Sequence, residues 1–371
     1  MTTYHLTPRA RRTLASVRRH SGATRAWLMR EMGLSGTAVF RATEELEAKG
    51  LVRIGDAVAD GPGQPSASIH IVPDAAFSLG LSIMTDRADV VLIDLAGAVR
   101  MQRDVRAEEM RRDQVLDAVD AFIEDACRIV GIGRSAILGI GVGVSGFFVA
   151  PSTVNASSEL DDWSLVDLEA AIASRLRMSV VVENIASASA LGERLLGVGA
   201  DHASFAYLNV ATGFGAGLVL DGELVRGRNG NAGEIAILYE MSGRTTPNLA
   251  SLLAAAATHG HRFATIRDLL EQYDDDWPWL ADWVTAHAPS FSFMAAVMRY
   301  VLDCDAVILG GRIPRPLAER LVAAMRWPEQ ITPTRRGRPA AAPHILVAAL
   351  SADRAAMLGA ATLPLMRHHF A

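Results

Sequence analysis

Two groups of residues in this 371-residue sequence have the types and spacing to do chemistry. The first lies near the N-terminus, where Ser35, Gly36, Thr37, Phe40 and Arg41 share one segment and Arg25 and Arg30 precede it. Hydroxyl and guanidinium groups at the exposed start of a helix suit double-stranded DNA. The helix fits the major groove, and its first backbone amides attract phosphates, with Arg25 and Arg30 alongside. Phe40 has two roles open to it: contact with a thymine methyl, or packing against a neighbouring wing. Gly61-Pro62-Gly63-Gln64-Pro65 is small and extended enough to lie in a minor groove, favouring A·T-rich sequence. The second group is Asn209-Val210-Ala211-Thr212-Gly213-Phe214-Gly215-Ala216-Gly217. Its glycines would let backbone amides cradle an anion. Two strands closed by a glycine hairpin read the same way, and both remain open.

The first group needs a scaffold, and the surrounding residues predict one. Thr7-Pro8 is a cap followed by proline at the first helical position, and Ala10, Leu14 and Val17 form one apolar stripe. Thr24 caps a second short helix with Leu28 and Met32 on one face. Gly33-Leu34-Ser35 supplies a turn and a new cap for a third helix, which turns Val39, Ala42 and Leu46 inward and ends at Gly50. Residues 51–54 and 68–72 alternate like strands around a Gly/Pro-rich segment. Three helices and a two-stranded wing make a winged helix-turn-helix, with a three-helix protein-interaction module as the alternative.

The body begins near Phe77. Strands are predicted over 79–83, 89–95 and 99–105, a helix over 113–129, a buried strand over 137–144 and another over 178–183, followed by a small-residue helix. A similar cycle restarts at Ser204 with strands over 205–210 and 216–220. It ends with a strand over 306–309, a helix over 316–325, a strand over 344–347 and a helix from Asp353. Two lobes of like topology with a cleft between them are expected: a mixed α/β fold. The division is 1–73 for the head and 74–371 for the body. Lobe 1 covers about 74–198 plus 353–371, and lobe 2 about 199–352.

Charge supports this division. Residues 1–73 hold ten Lys/Arg against six acids, net +4, and the remainder 26 against 35, net −9, within a total of −5. A basic module on an acidic body presents one end to a polyanion. No signal peptide or membrane span is expected, and Cys127 and Cys304 are expected to be buried thiols in a reducing cytoplasm. Arg335-Arg336-Gly337-Arg338-Pro339 is read as a solvated basic loop, and 274–279 as a loop entering a packed helix that holds Trp283.

Taken in order, the motifs resemble the ROK family (repressors, open reading frames and sugar kinases), specifically its repressor branch. At the front these are Gly33-Leu34-Ser35, Leu46-Glu47-Ala48-Lys49-Gly50-Leu51-Val52 and Gly63-Gln64-Pro65. In the body they are Ile93-Asp94-Leu95-Ala96-Gly97, Gly141-Val142-Gly143-Val144-Ser145-Gly146, Glu183-Asn184 with Ala190-Leu191-Gly192-Glu193, the Thr212–Gly217 turn, Gly230-Asn231-Ala232-Gly233-Glu234-Ile235, Ile308-Leu309-Gly310-Gly311 and Leu358-Gly359-Ala360-Ala361. The resemblance implies an actin-like ATPase, sugar-kinase-like body behind the winged helix. It also implies that Asn155, Asn184 and Glu234 face an effector.

The departures are informative. Where the family's kinases carry an acidic-Gly-Gly-Thr phosphate loop, this chain has Ser82-Ile83-Met84-Thr85. Where they place an aspartate as general base after Glu-Asn, it has Ile185. The zinc-ligating histidine position holds Ile237, no cysteine cluster follows, and a second cleft glutamate is replaced by Ala250. The expectation is a homodimer, or a dimer of dimers, that represses carbohydrate-related genes from a palindromic operator. A sugar or sugar-derived effector would control it, with no kinase activity, cofactor, metal or membrane partner. The alternatives are a divergent carbohydrate kinase and a ligand-independent DNA-binding protein with a vestigial cleft.

Overall fold

Three capped helices open the chain. The computed structural model describes residues 6–58, 65–105, 110–327, 334–335, 338–339 and 341–370. Thr7 caps α1 (Pro8–Arg19), Thr24 caps α2 (Arg25–Met32) and Ser35 caps α3 (Gly36–Ala48), each side-chain oxygen accepting from the backbone N–H three residues on. Gly33 stops α2 at φ +62°, a conformation in which a side chain would be strained. The wing has three strands rather than the expected two. β1 (Ala23–Thr24) pairs with β3 (Ser66–Ile71), which pairs in turn with β2 (Val52–Val58). Two residues are too few to show alternation, so β1 left no signature in the sequence. Gly63 and Gln64 of the wing lie outside the described residues.

The body is built on two five-stranded sheets. In the first, β4 (Phe77–Ile83), β5 (Ala88–Asp94) and β6 (Val99–Val105) run antiparallel, while β7 (Ile137–Val144) and β10 (Val180–Asn184) continue parallel to β4. α4 (Arg112–Val130) and α5 (Leu168–Leu176) bury one stripe each against it, with Val119, Phe122, Ile172 and Leu176 fully enclosed. β8 (Phe147–Ala150) and β9 (Thr153–Asn155) form a hairpin beyond β7, and α6 (Ile185–Leu196) follows β10. The second sheet holds β11 (Phe205–Val210), β12 (Phe214–Leu220), β13 (Glu223–Leu224), β14 (Ala306–Gly311) and β17 (His344–Val347) in the order β13-β12-β11-β14-β17. Around it lie α7 (Ile237–Met241), α8 (Leu249–Thr258), α9 (Ile266–Glu271), α10 (Leu280–Leu302) and α11 (Arg315–Ala324).

Smaller features differ from expectation in places. The basic segment is no plain loop: β15 (Thr334–Arg335) pairs with β16 (Arg338–Pro339). Cys304 is buried, but Cys127 is only partly so, because it sits at the edge of the α4 stripe. Trp279 and Trp283 are enclosed where the preceding loop enters α10, as expected.

One helix organises the molecule. α12 (Ala352–Leu365) packs against β4, β7 and α6 at backbone distance. A Cβ on Gly80 would run into the carbonyl oxygen of Met357, and one on Gly359 into that of Ala188. The far end of α12 shares a core with the head, since Met357, Leu358, Ala361 and Leu365 join Leu14, Val17, Leu28 and Leu46 in one apolar cluster. α12 continues into a turn, Met366–Phe370, where the Phe370 ring stacks under the Arg18 guanidinium at 4.8 Å. Arg18 Nε also donates to the Ala96 carbonyl at 3.4 Å, and desolvation, with Arg194 nearby, pulls its pKa down to about 10.

Candidate DNA-binding face and ligand cleft

α3 keeps Val39, Ala42 and Leu46 in the head core and turns Ser35, Gly36, Thr37, Phe40 and Arg41 to solvent. Phe40 is 47% exposed, unusual for a ring that could have packed inward. Its partner is Arg25 rather than the wing. The Arg25 Cζ lies 4.7 Å from the centre of the Phe40 ring, while Nε donates to Thr43 Oγ1 at 3.2 Å and Nη2 lies 3.5 Å from the Glu44 carboxylate. Arg25 is therefore held on the exposed face of α3, and Arg30 is exposed on α2.

Between the two sheets lie two adjoining chambers of about 430 and 1010 Å³. In the smaller one Asn184 caps α6, its Oδ1 accepting from Ala186 N–H at 2.7 Å. Its Nδ2 donates to the Gly146 carbonyl at 2.9 Å and to Glu234 Oε1 at 3.2 Å. Asn184 and Glu234, from opposite lobes, are thus joined, and Asn155 lines the same chamber without bonding to either. Desolvation in this concavity raises the Glu234 pKa above the ordinary glutamate value. Ile185 opens α6 at the chamber wall, packed with Met84 and Ala356. An aliphatic group there can neither take a proton nor bind a hydroxyl. The glycine-rich run is a hairpin. Val210 pairs with Phe214, and Ala211 N–H is used within the turn on the Gly213 carbonyl at 3.0 Å. Ile237 opens α7 at 51% exposure and Ala250 lies exposed on α8, and neither lines a chamber.

The larger chamber lies where the phosphate loop would be. Instead of an anion cradle, Asp86, in the turn after β4, meets Arg312 at the end of β14 in a fork, Nη1–Oδ1 at 2.7 Å and Nη2–Oδ2 at 2.9 Å. Arg267 adds a looser contact to Asp86 at 3.5 Å. Gly311 at φ +93° makes the bend that aims Arg312, and a Cβ there would strike Val210. Two further links cross the seam. Buried Glu183 accepts from Arg226 Nε at 2.6 Å, and Asn231 exchanges hydrogen bonds with the Phe148 backbone at 2.7 and 2.8 Å. Burial raises the Glu183 pKa, with Arg226 opposing it.

The sequence reading missed Glu44, Asp86, Arg226 and Arg312. Glu44 was legible, because it stands one helical turn from Phe40 on the exposed stripe. Asp86 and Arg312 are 226 residues apart, and nothing local announces their pairing. Residues 233–249 offer no cysteine or histidine, and no group of three or more His, Cys, Asp or Glu among the described residues stands where it could hold a metal. The family's zinc site does not fit this chain.

Fold and site together define a winged helix-turn-helix protein on a two-lobed, sugar-kinase-like α/β body. Residues 78–239 match the profile described as ROK family, and residues 5–61 that described as MarR family. This chain carries a ROK family domain behind a MarR-type winged helix-turn-helix domain. It is 27% identical to an uncharacterized protein of Sinorhizobium fredii over 363 residues, 97% of this chain and 91% of that one. It is 25% identical to the xylose repressor of Bacillus subtilis over 227 residues, 60% of this chain and 58% of the repressor. A crystal structure of a ROK family transcriptional regulator, a homolog of the E. coli MLC protein, shares the fold. Its TM-score is 0.72 at 19% identity, covering 97% of this chain and 96% of that one.

Proposed function

We propose that this chain is a DNA-binding transcriptional repressor of carbohydrate-related genes, working in the cytoplasm without kinase activity. The observation that carries the reading is the outward face of α3, where Gly36, Thr37, Phe40 and Arg41 stand exposed on a helix whose other face is core. A surface helix that spends an aromatic ring on solvent is built to be covered. The likeness to the xylose repressor supports the carbohydrate assignment. The head, 1–73, would bind the operator as one of a pair in a homodimer or dimer of dimers, and the body, 74–371, would bind a sugar or sugar-derived effector beside Asn155, Asn184 and Glu234. Effector binding would act by changing the spacing of the two lobes, and thereby of the paired heads.

Ile185 and the Asp86–Arg312 fork support the absence of phosphoryl transfer, the first lacking a proton acceptor and the second occupying the phosphate region. The test is fluorescence anisotropy of the full chain on pooled genomic fragments, followed by Arg41→Ala and a deletion of 59–64. Each variant is expected to weaken operator binding tenfold or more, and unchanged binding in both would overturn the winged-helix assignment. Sugar-dependent ATP turnover by the purified chain would overturn the non-enzymatic reading.

A further inference from the structure

The stack of Arg25 on Phe40 does nothing for the core of the head, because the ring is 47% exposed and the fold closes beneath it through Val39, Ala42 and Leu46. What the stack does is fix a plane. The guanidinium lies on the ring, Nε is committed to the Thr43 hydroxyl at 3.2 Å, and that hydroxyl is itself anchored on the Phe40 carbonyl at 2.9 Å. An arginine head held at the ring and at Nε has less orientational freedom to lose when a partner arrives. A phosphate does not demand this, since a cation meets it from many directions. Reading guanine does, because N7 and O6 must be met together by two coplanar N–H groups. Phe40, beside Thr37 and Arg41 on the exposed stripe, would lie against the neighbouring base edge, where a thymine methyl suits an aromatic ring. Water leaving this interface strengthens the stack.

Resting on the DNA-binding reading above, we propose that Arg25 and Phe40 form one base-reading unit. Arg25 presents its Nη edge to guanine N7 and O6, and Phe40 covers the 5-methyl of an adjacent thymine. Glu44, 3.5 Å from Nη2 and half-exposed, is the resting counter-ion that Arg25 gives up on binding.

The test compares the full wild-type chain with Arg25→Lys and Phe40→Leu. Arg25→Lys keeps the charge and loses the fork, and Phe40→Leu keeps apolar volume and loses the ring. Affinity is measured on an operator selected from genomic fragments and on a scrambled duplex of equal length and composition, across a salt series. Melting temperatures show that each variant is folded. Each variant is expected to lower the operator-to-scrambled ratio by about tenfold or more, the scale of one bidentate base contact. Affinity for the scrambled duplex and its salt slope should stay near wild type, because no phosphate contact is lost. Equal losses on both duplexes, or no loss on either, would overturn the proposal and leave Arg25 a phosphate anchor or a bystander. A wild-type chain that prefers no fragment over the scrambled duplex would instead overturn the DNA-binding reading, and this proposal with it.

Discussion

The two junctions of the molecule are made of different materials. Head and first sheet meet through a continuous apolar core in which Leu14, Val17, Leu358, Ala361 and Leu365 share one cluster. The two lobes meet partly through α6, whose Ala190 and Leu191 pack with Tyr207, Val219 and Leu224, and partly through polar bridges around open chambers: Asp86–Arg312, Glu183–Arg226 and Asn231–Phe148. Apolar surface cannot be re-solvated without losing about 25 cal/mol per Å², whereas a protein–protein hydrogen bond exchanges for one to water at a net cost near 1 kcal/mol. The chamber side of the seam is therefore the cheaper place for motion, and the head is expected to travel with the first sheet. Any signal from the cleft would reach DNA by reorienting whole head-plus-lobe units, not by swinging a head on a tether.

The most severe way to break this contrast is to damage the welded junction. Leu358→Ala removes a fully buried side chain there and is expected to cost about 2–5 kcal/mol. Chemical denaturation followed separately in head and body should show both losing stability together, and loss confined to one of them would mean that the shared core is not a weld. A smaller effect comes from acid. His369 is buried in the same junction, and burial, with His368 and Arg11 adding, holds its pKa down to about 4. The unfolded chain takes up that proton near the ordinary value of 6.5 while the folded one refuses it until near 4, so stability falls as pH falls between them. Between pH 7 and 5 the loss is expected to be about 2 kcal/mol, and His369→Phe should flatten the profile in a urea-denaturation series. The smallest effect is at the seam. Asp86→Asn and Arg312→Gln, combined in a double-mutant cycle, should give a coupling of about 1 kcal/mol that shrinks with salt. Their clearer signature would be faster hydrogen exchange in the β4–β5 turn, and a coupling as large as the Leu358→Ala loss would erase the distinction between the junctions.

The sequence was most legible where interactions are local. Thr7, Thr24 and Ser35 mark helix starts because a cap acts within three residues, and Gly33 marks a stop because only the backbone decides it. The strands of both sheets were readable from apolar runs and glycine punctuation, except the two-residue edge strand β13, and Asn184 and Glu234 from their motifs, which the fold brings to one hydrogen bond. β1 was invisible because it is two residues held by tertiary pairing. The seam was invisible for a different reason, since every bridge in it joins residues at least 43 positions apart and leaves no local pattern. The Phe40–Arg25 contact stands between these cases: both residues are conspicuous in the sequence, but their pairing crosses from α2 to α3 and leaves no local pattern.

The position of α12 has a consequence for how the protein is made. The first sheet is translated early, yet the glycine-lined face that β4 and β7 present at Gly80 and Gly141 is filled only by residues near Met357 and Ala360. A nascent chain carries that face uncovered while the whole second lobe leaves the ribosome, and the head above it lacks part of its floor. Prematurely terminated products thus lack the core on which the head is seated. Operator-competent protein is expected to arise only from ribosomes that have read through α12, so the fold itself censors incomplete copies.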